Sequence, residues 1–133
     1  MKNLLYLTLA VLVAAALGFG APAVAAKKDS VETSVRATYK PGKPTDEYGE
    51  QAGTVAGSVA AAKGRCTPRR KVIVLEGKEK IGSDRTDRRG RFAVRVDASA
   101  KAKLRVKVKK RKLGGNPKTV CKGAATKAKT RRN

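Results

Sequence analysis

Apolar and polar residues alternate along most of the chain between Val31 and Val108, the period of two expected of strands buried on one face. Val31, Thr33, Val35, Ala37 and Tyr39 fall on one face of a first strand, with Glu32, Ser34, Arg36 and Thr38 on the other. Lys40 to Gln51, with Pro41, Pro44 and Gly49, reads as a loop. Val55, Gly57 and Val59 suit a second strand, and Lys71 to Leu75, after Pro68-Arg69-Arg70, a third. A fourth, weaker segment covers Lys80 to Thr86. The two clearest runs come later. Phe92, Val94 and Val96 alternate with Arg91, Ala93, Arg95 and Asp97, then Leu104, Val106 and Val108 alternate with Lys103, Arg105, Lys107 and Lys109. Between the fourth and fifth strands, Asp87-Arg88-Arg89-Gly90 predicts a hairpin turn, because Asp can bond its own backbone and Gly accepts positive φ. Short strands separated by turns predict an all-β fold, one small Ig-like sandwich of about seven strands.

The first residues break this pattern. Lys2 precedes an uncharged apolar run from Leu4 to Leu17, Gly18, Gly20 and Pro22 end any helix, and Ala23-Val24-Ala25-Ala26 offers small side chains for cleavage. Residues 1–26 are therefore expected to be a signal peptide, and the mature chain to be secreted, extracellular or in the cell envelope. Beyond Lys27 no apolar stretch approaches the roughly 20 residues a spanning helix needs, so no transmembrane segment is expected after cleavage. What remains suits one domain: an N-terminal strand and loop over 27–52, the sandwich over 53–123, and a basic disordered tail over 124–133. Only 17 Val, Ile, Leu and Phe follow Lys27, and a core that thin commonly needs a staple. Cys66 and Cys121, the two cysteines, leave one intramolecular pairing in an oxidising compartment. That disulfide closes a loop of about 55 residues and contributes about 4 kcal/mol in the chain-entropy account.

A family resemblance rests on particular segments. Gly53-Thr54-Val55-Ala56-Gly57-Ser58-Val59, then Cys66, then Arg70-Lys71-Val72-Ile73-Val74, then Ile81 to Val94 together resemble the transthyretin-like, or carboxypeptidase regulatory-like, β-sandwich. They are similar in particular to small secreted bacterial proteins of that kind with one Cys in the early strands and another near the C-terminus. The most specific motif is Thr-Asp-x-x-Gly-x-Phe, carried by Thr86, Asp87, Gly90 and Phe92. The resemblance implies a fold and a structural turn, and no chemistry, since the scaffold serves carriage, adhesion and accessory roles alike.

The residue inventory argues against catalysis. The chain has no His, its two cysteines are expected to be tied together, and ten acids are scattered among a large excess of cations. Acid, base and nucleophile constellations lack parts, and neither a metal site nor a cofactor site is expected. Asp84 and Asp87 fall short of a calcium loop, because Arg85, Arg88 and Arg89 interrupt them and no Glu follows at the bidentate position. Gly57 to Gly64 lacks the Gly-Lys-Ser/Thr ending of a phosphate loop.

Charge is the unusual feature. The formal net charge is +22, and from Ala98 to Asn133 there are 14 Lys and Arg and no acid. Lys101, Lys103, Arg105, Lys107 and Lys109 recur at period two and are expected to project from one strand face as a cationic ladder. If residues 91–97 pair with 101–107 around Ala98-Ser99-Ala100, Arg91 and Arg95 join the same face and Asp97 lies opposite Lys101. Two functions follow as expectations. The first is a non-enzymatic structural or adhesion-type module of the cell envelope or extracellular space, with an envelope protein as partner. The alternative is an electrostatic binder of anionic polymers, envelope polyanions or extracellular DNA, through that face. Sequence-specific nucleic-acid reading is not expected, because no recognition-helix pattern exists and stacking aromatics are nearly absent.

Overall fold

A computed structural model describes residues 28–43, 52–115 and 117–131. The expected signal peptide lies outside the described residues, as do residues 44–51 of the expected loop. The described chain is all-β, with a single 3-10 turn at Gly64–Cys66. Its strands are β1 (Asp29–Val31), β2 (Thr33–Lys40), β3 (Ala52–Ala61), β4 (Lys71–Glu76), β5 (Glu79–Arg85) and β6 (Arg91–Asp97). They continue with β7 (Leu104–Val108), β8 (Arg111–Leu113), β9 (Thr119–Cys121), β10 (Ala124–Lys127) and β11 (Lys129–Thr130).

Two four-stranded sheets, ordered β11-β2-β3-β6 and β10-β7-β4-β5, face each other, and a small sheet β1-β9-β8 caps one end. The period of two explains the packing. Val35, Ala37 and Tyr39 of β2, Val55 and Val59 of β3, and Phe92, Val94 and Val96 of β6 point inward from one sheet. Val72 and Val74 of β4 with Leu104, Val106 and Val108 of β7 meet them from the other. Gly57 lies opposite Phe92 in the β3–β6 ladder, and a Cβ there would come within 2.7 Å of the Phe92 ring. A glycine is what lets the one large aromatic of the motif lie flat in a valine-rich core.

Several expectations are corrected. The first predicted strand is two: Glu32 separates β1 from β2, and Val31 leaves the main core for a second cluster with Cys66 and Cys121. The turn Asp87 to Gly90 forms, with Gly90 at φ 78° and Asp87 Oδ1 accepting from the Arg89 and Arg91 amides. It does not make a hairpin, because β5 pairs with β4 while β6 pairs with β3. The turn carries the chain from one sheet to the other, and Asp84 Oδ2 on β5 accepts from the Ala93 amide of β6 to stitch that edge. Strands β6 and β7 do not pair either. Ala98 to Lys103 crosses between sheets, so Asp97 lies beside Ala52 rather than Lys101. The predicted N-terminal segment belongs to the sandwich, since β2 pairs with β3 over all eight of its residues.

The expected disordered tail is also corrected. Ala124 to Thr130 is strand: β10 pairs antiparallel with β7, and after Ala128 the chain changes sheets so that β11 pairs parallel with β2. The Ala128 amide donates to Leu104 O at 2.9 Å and the Arg131 amide to Tyr39 O at 2.8 Å. β10 and β11 are thus the edge strands of the two sheets on this side of the sandwich, both of them short.

Tyr39 fixes the crossing between sheets. Its hydroxyl, fully buried, donates to Ala98 O at 2.6 Å, and Gly53 lies so close that a Cβ would come within 2.5 Å of the ring. Burial first, and then the charges of Glu76 and Asp97, raise the phenol above its ordinary pKa of 10.0. A raised folded-state value leaves the phenol's contribution whole below the unfolded value and removes it as pH climbs through the folded one. Tyr39→Phe is expected to lose about 1 to 2 kcal/mol at neutral pH, because the Ala98 carbonyl loses its buried partner. Above about pH 10 the gap to wild type should narrow, since the variant has no phenol to ionise. Urea unfolding at neutral pH and in mild alkali reads both effects; a gap that widens in alkali contradicts the assignment.

Candidate polyanion-binding face

The outer face of sheet β10-β7-β4-β5 is built by register. Where Leu104, Val106 and Val108 point inward, Arg105 and Lys107 must point out, and both are exposed. Across the sheet, Lys127, Arg105, Leu75 and Lys80 form one row, and Ala125, Lys107, Ile73 and Ser83 the next. The Lys109 amide donates to Lys71 O at 3.0 Å and Lys71 pairs with Arg85, which makes a third row of Lys109, Lys71 and Arg85. Strand and residue spacings give these rows an area on the order of 14 Å square. No acidic side chain stands in them. Ile73 and Leu75, half-buried at the centre, are where the aliphatic stems of the surrounding Lys and Arg can lie.

The ladder expected from the sequence is therefore partly correct and partly displaced. Arg105 and Lys107 are on β7, and Lys109 follows it in the same facing. Lys101 and Lys103 precede β7 in the crossing segment and line a groove of about 730 Å³ at the end of the sheet, together with Lys78, Arg105 and Lys127 around Ala102 and Leu104. Arg91 and Arg95 are not on this face. They are on the outer face of the opposite sheet, across from Ser58 and Thr54, because β6 pairs with β3. Arg91 is further engaged with Asp87 through Nε at 3.2 Å. Four cations that the sequence did not single out, Lys71, Lys80, Arg85 and Lys127, take their place. Strands over Lys71 to Leu75 and Lys80 to Thr86 were readable; which of their residues face out, and their neighbours, were not.

Ion pairs are few and lie elsewhere. Among the described residues the ion pairs are Lys63 with Asp29, Lys122 with Glu32, and Arg91 with Asp87, none of them on this face. Asp84, next to Arg85 in sequence, faces the other way and accepts from the Arg85 and Ala93 amides, while Glu76 and Glu79 pair at the end of the sheet beside Leu104 rather than in these rows. At physiological salt the screening length is about 8 Å, so cations spaced about 5 to 7 Å apart add their potentials.

The structural residues of the motif hold the end of this sheet in place. Thr86 is buried, accepts from the Arg70 amide at 2.8 Å and donates to Thr67 O at 2.6 Å. Asp87 is held below the usual carboxylate range, first by the Arg91 amide and then by the Arg89 amide and the Arg91 side chain. Arg70 was not singled out from the sequence, yet it is fully buried. Its guanidinium donates to the carbonyls of Cys66 at 2.7 Å, Lys109 at 2.9 Å and Lys122 at 2.6 Å, and to Thr33 Oγ1 at 3.2 Å. Burial, followed by the charge of Arg111, lowers its pKa from the ordinary value. Among the described residues no carboxylate pairs with it; carbonyl dipoles surround it instead.

Cys66 and Cys121 are disulfide-bonded, with Cα atoms 5.5 Å apart. The described residues hold no cluster of His, Cys, Asp or Glu fit to bind a metal ion, and no helix among them is long and apolar enough to cross a membrane. No protein-family model, curated protein or solved structure matches the chain.

Proposed function

We propose that this is a non-catalytic, secreted binding module of transthyretin-like type that attaches to anionic polymers of the cell envelope or extracellular space through the outer face of sheet β10-β7-β4-β5. The observation that carries this reading is a sheet face with seven exposed cations, Lys71, Lys80, Arg85, Arg105, Lys107, Lys109 and Lys127, whose three rows contain no acid. Like charges set side by side on a sheet destabilise it, so a face kept free of acids suits a ligand that supplies the counter-charge. The disulfide fits an oxidising compartment.

Binding of this kind releases counterions and falls steeply with salt. Affinity for poly(glycerol phosphate) and for duplex DNA is expected to drop about 10³-fold between 50 and 200 mM salt if roughly six phosphates are neutralised. Replacing Lys80, Arg105, Lys107 and Lys127 together by Gln should flatten the log–log slope by about three. These side chains are exposed, so stability should hold. Salt-independent binding, or an unchanged slope in the variant, sinks the reading.

A further inference from the structure

Where β4 begins, β5 ends and β7 runs toward β8, six cations close around a pocket of about 330 Å³: Arg69, Lys71, Arg85, Lys109, Lys110 and Arg111. Among the described residues no acid, apolar or neutral side chain lines it. We infer that this pocket is a discrete binding site for linked phosphates, a pyrophosphate or longer phosphoanhydride chain. The inference deepens the polyanion reading above and rests on it, since Lys71, Arg85 and Lys109 also form the third row of the face.

Three observations beyond charge count point to a built site. Arg69 is the one non-glycine residue with positive φ among those described, at 54°, a conformation that costs a residue with a Cβ on the order of 1 kcal/mol. Its amide is tied to Thr86 O at 2.9 Å, so the strained turn is fixed where Arg69 lines the pocket. Arg111 is fixed as well, with Nη1 donating to Pro68 O at 2.8 Å. Beneath the pocket wall, the buried Arg70 grips Lys109 O with Nε at 3.3 Å and Nη2 at 2.9 Å. That bond sets the backbone from which Lys109, Lys110 and Arg111 project, and places a seventh positive charge behind them.

Size and charge select the ligand. At ~30 Å³ per water, 330 Å³ is about eleven water volumes, more than a single phosphate fills. Six cations exceed what one dianion can neutralise. A phosphodiester polymer separates its single charges by a sugar or polyol, whereas phosphoanhydride linkage sets them on adjacent phosphorus atoms, as so small a pocket requires. Three guanidinium forks suit paired phosphoryl oxygens, and the three ammonium groups add point charge between them.

Calorimetric titration of the full chain with sodium tripolyphosphate, orthophosphate, sulfate and poly(glycerol phosphate), in 0.15 M salt, tests this. One saturable site is expected for tripolyphosphate, at least about tenfold tighter than for orthophosphate or sulfate. Arg69→Gly should weaken it at least about tenfold while leaving the free protein's thermal midpoint unchanged or higher, because Gly is at ease at positive φ. Arg95→Gln, on the opposite sheet, should change nothing. Equal affinities for all small anions, binding without saturation, or an unaffected Arg69→Gly overturns the proposal. So does poly(glycerol phosphate) bound more sensitively to Arg69→Gly than tripolyphosphate is. Loss of tripolyphosphate binding with polymer binding intact removes the pocket alone. Polymer binding untouched by the four-Gln variant, with tripolyphosphate still bound, removes the face alone.

Discussion

Arg70→Met is expected to cost about 3 to 5 kcal/mol of folding stability, because it strands the buried Cys66 carbonyl together with the part-buried Lys109 and Lys122 carbonyls and Thr33 hydroxyl that the guanidinium now satisfies. The stem of Met fills similar space, so the loss is one of hydrogen bonds rather than of volume. Lysine is no substitute at this site. Its single ammonium has three donors on one atom, whereas Arg70 spreads its bonds over Nε, Nη1 and Nη2 to reach three different segments, and Arg70→Lys should recover less than half the loss. Arg69→Met, one residue earlier but exposed, should change stability by less than about 1 kcal/mol. Urea unfolding at constant m-value measures all three. An Arg70→Met midpoint close to that of wild type would show that the carbonyls find other partners.

That result would matter for function as well as stability, because the segments Arg70 joins are those that build the cationic pocket and its surroundings. Cys66 belongs to the 3-10 turn before β4, Lys109 to the link between β7 and β8, and Lys122 to the link between β9 and β10. A buried cation holding carbonyls from three connections lets a net positive domain keep its basic loops close together. Destabilised variants should therefore lose affinity for small linked phosphates before they lose general polymer binding, which depends on the sheet face.

Much of this fold was legible in the chain and much was not, for separable reasons. Strands β6 and β7 carry enough Val, Leu and Phe at period two for burial to dictate strand on its own, β4 is a continuous apolar run, and β2 and β3 show the alternation with Ala, Tyr and Gly among the inward positions. Pairing is another matter. Ala98-Ser99-Ala100 looks like a hairpin link, but nothing local distinguishes a link that folds back from one that crosses about 10 Å to the facing sheet; Tyr39, almost 60 positions earlier in the chain, decides it by gripping Ala98. The short strands β8 to β11 consist largely of Lys, Ala, Thr and Arg. Their order comes from ladders donated by β7, β2 and β1, so composition alone leaves β8 and β9 without a strand signal and makes β10 and β11 read as tail. The candidate site divides the same way. The exposure of Arg105 and Lys107 follows from β7 itself, while Lys71, Lys80, Arg85 and Lys127 become their neighbours only through topology, and Arg70 is indistinguishable in sequence from the arginines at the surface.

Reduction of the Cys66–Cys121 bond should produce a loss of similar size by a different route. The bridge closes a separation of 55 residues, for which loop-closure entropy in the unfolded chain amounts to about 4 kcal/mol. For a domain of this size that corresponds to a fall in thermal midpoint on the order of 15 to 30 °C. The structure says which parts would go first. Strands β1, β8 and β9 are three residues each, too short to persist as an isolated sheet, and the cluster beneath them consists of Val31, Cys66 and Cys121 with Ala61 and Leu113 against it. Without the covalent tie the cap should fray and expose the amides of β9 to exchange, while β2, β3, β4, β6 and β7 stay protected until global unfolding. The cysteine and arginine effects should also interact. Arg70 Nη1 bonds Cys66 O, and Nη2 bonds the carbonyl of Lys122, the residue after Cys121. Once either tie is gone the other has less to hold, so Arg70→Met combined with Cys66→Ser and Cys121→Ser should lose less than the two losses added, by about 1 kcal/mol or more. Calorimetry on oxidised, reduced and triple-variant protein gives the coupling directly. Strict additivity would mean that the disulfide and the buried guanidinium secure the end of the sandwich independently.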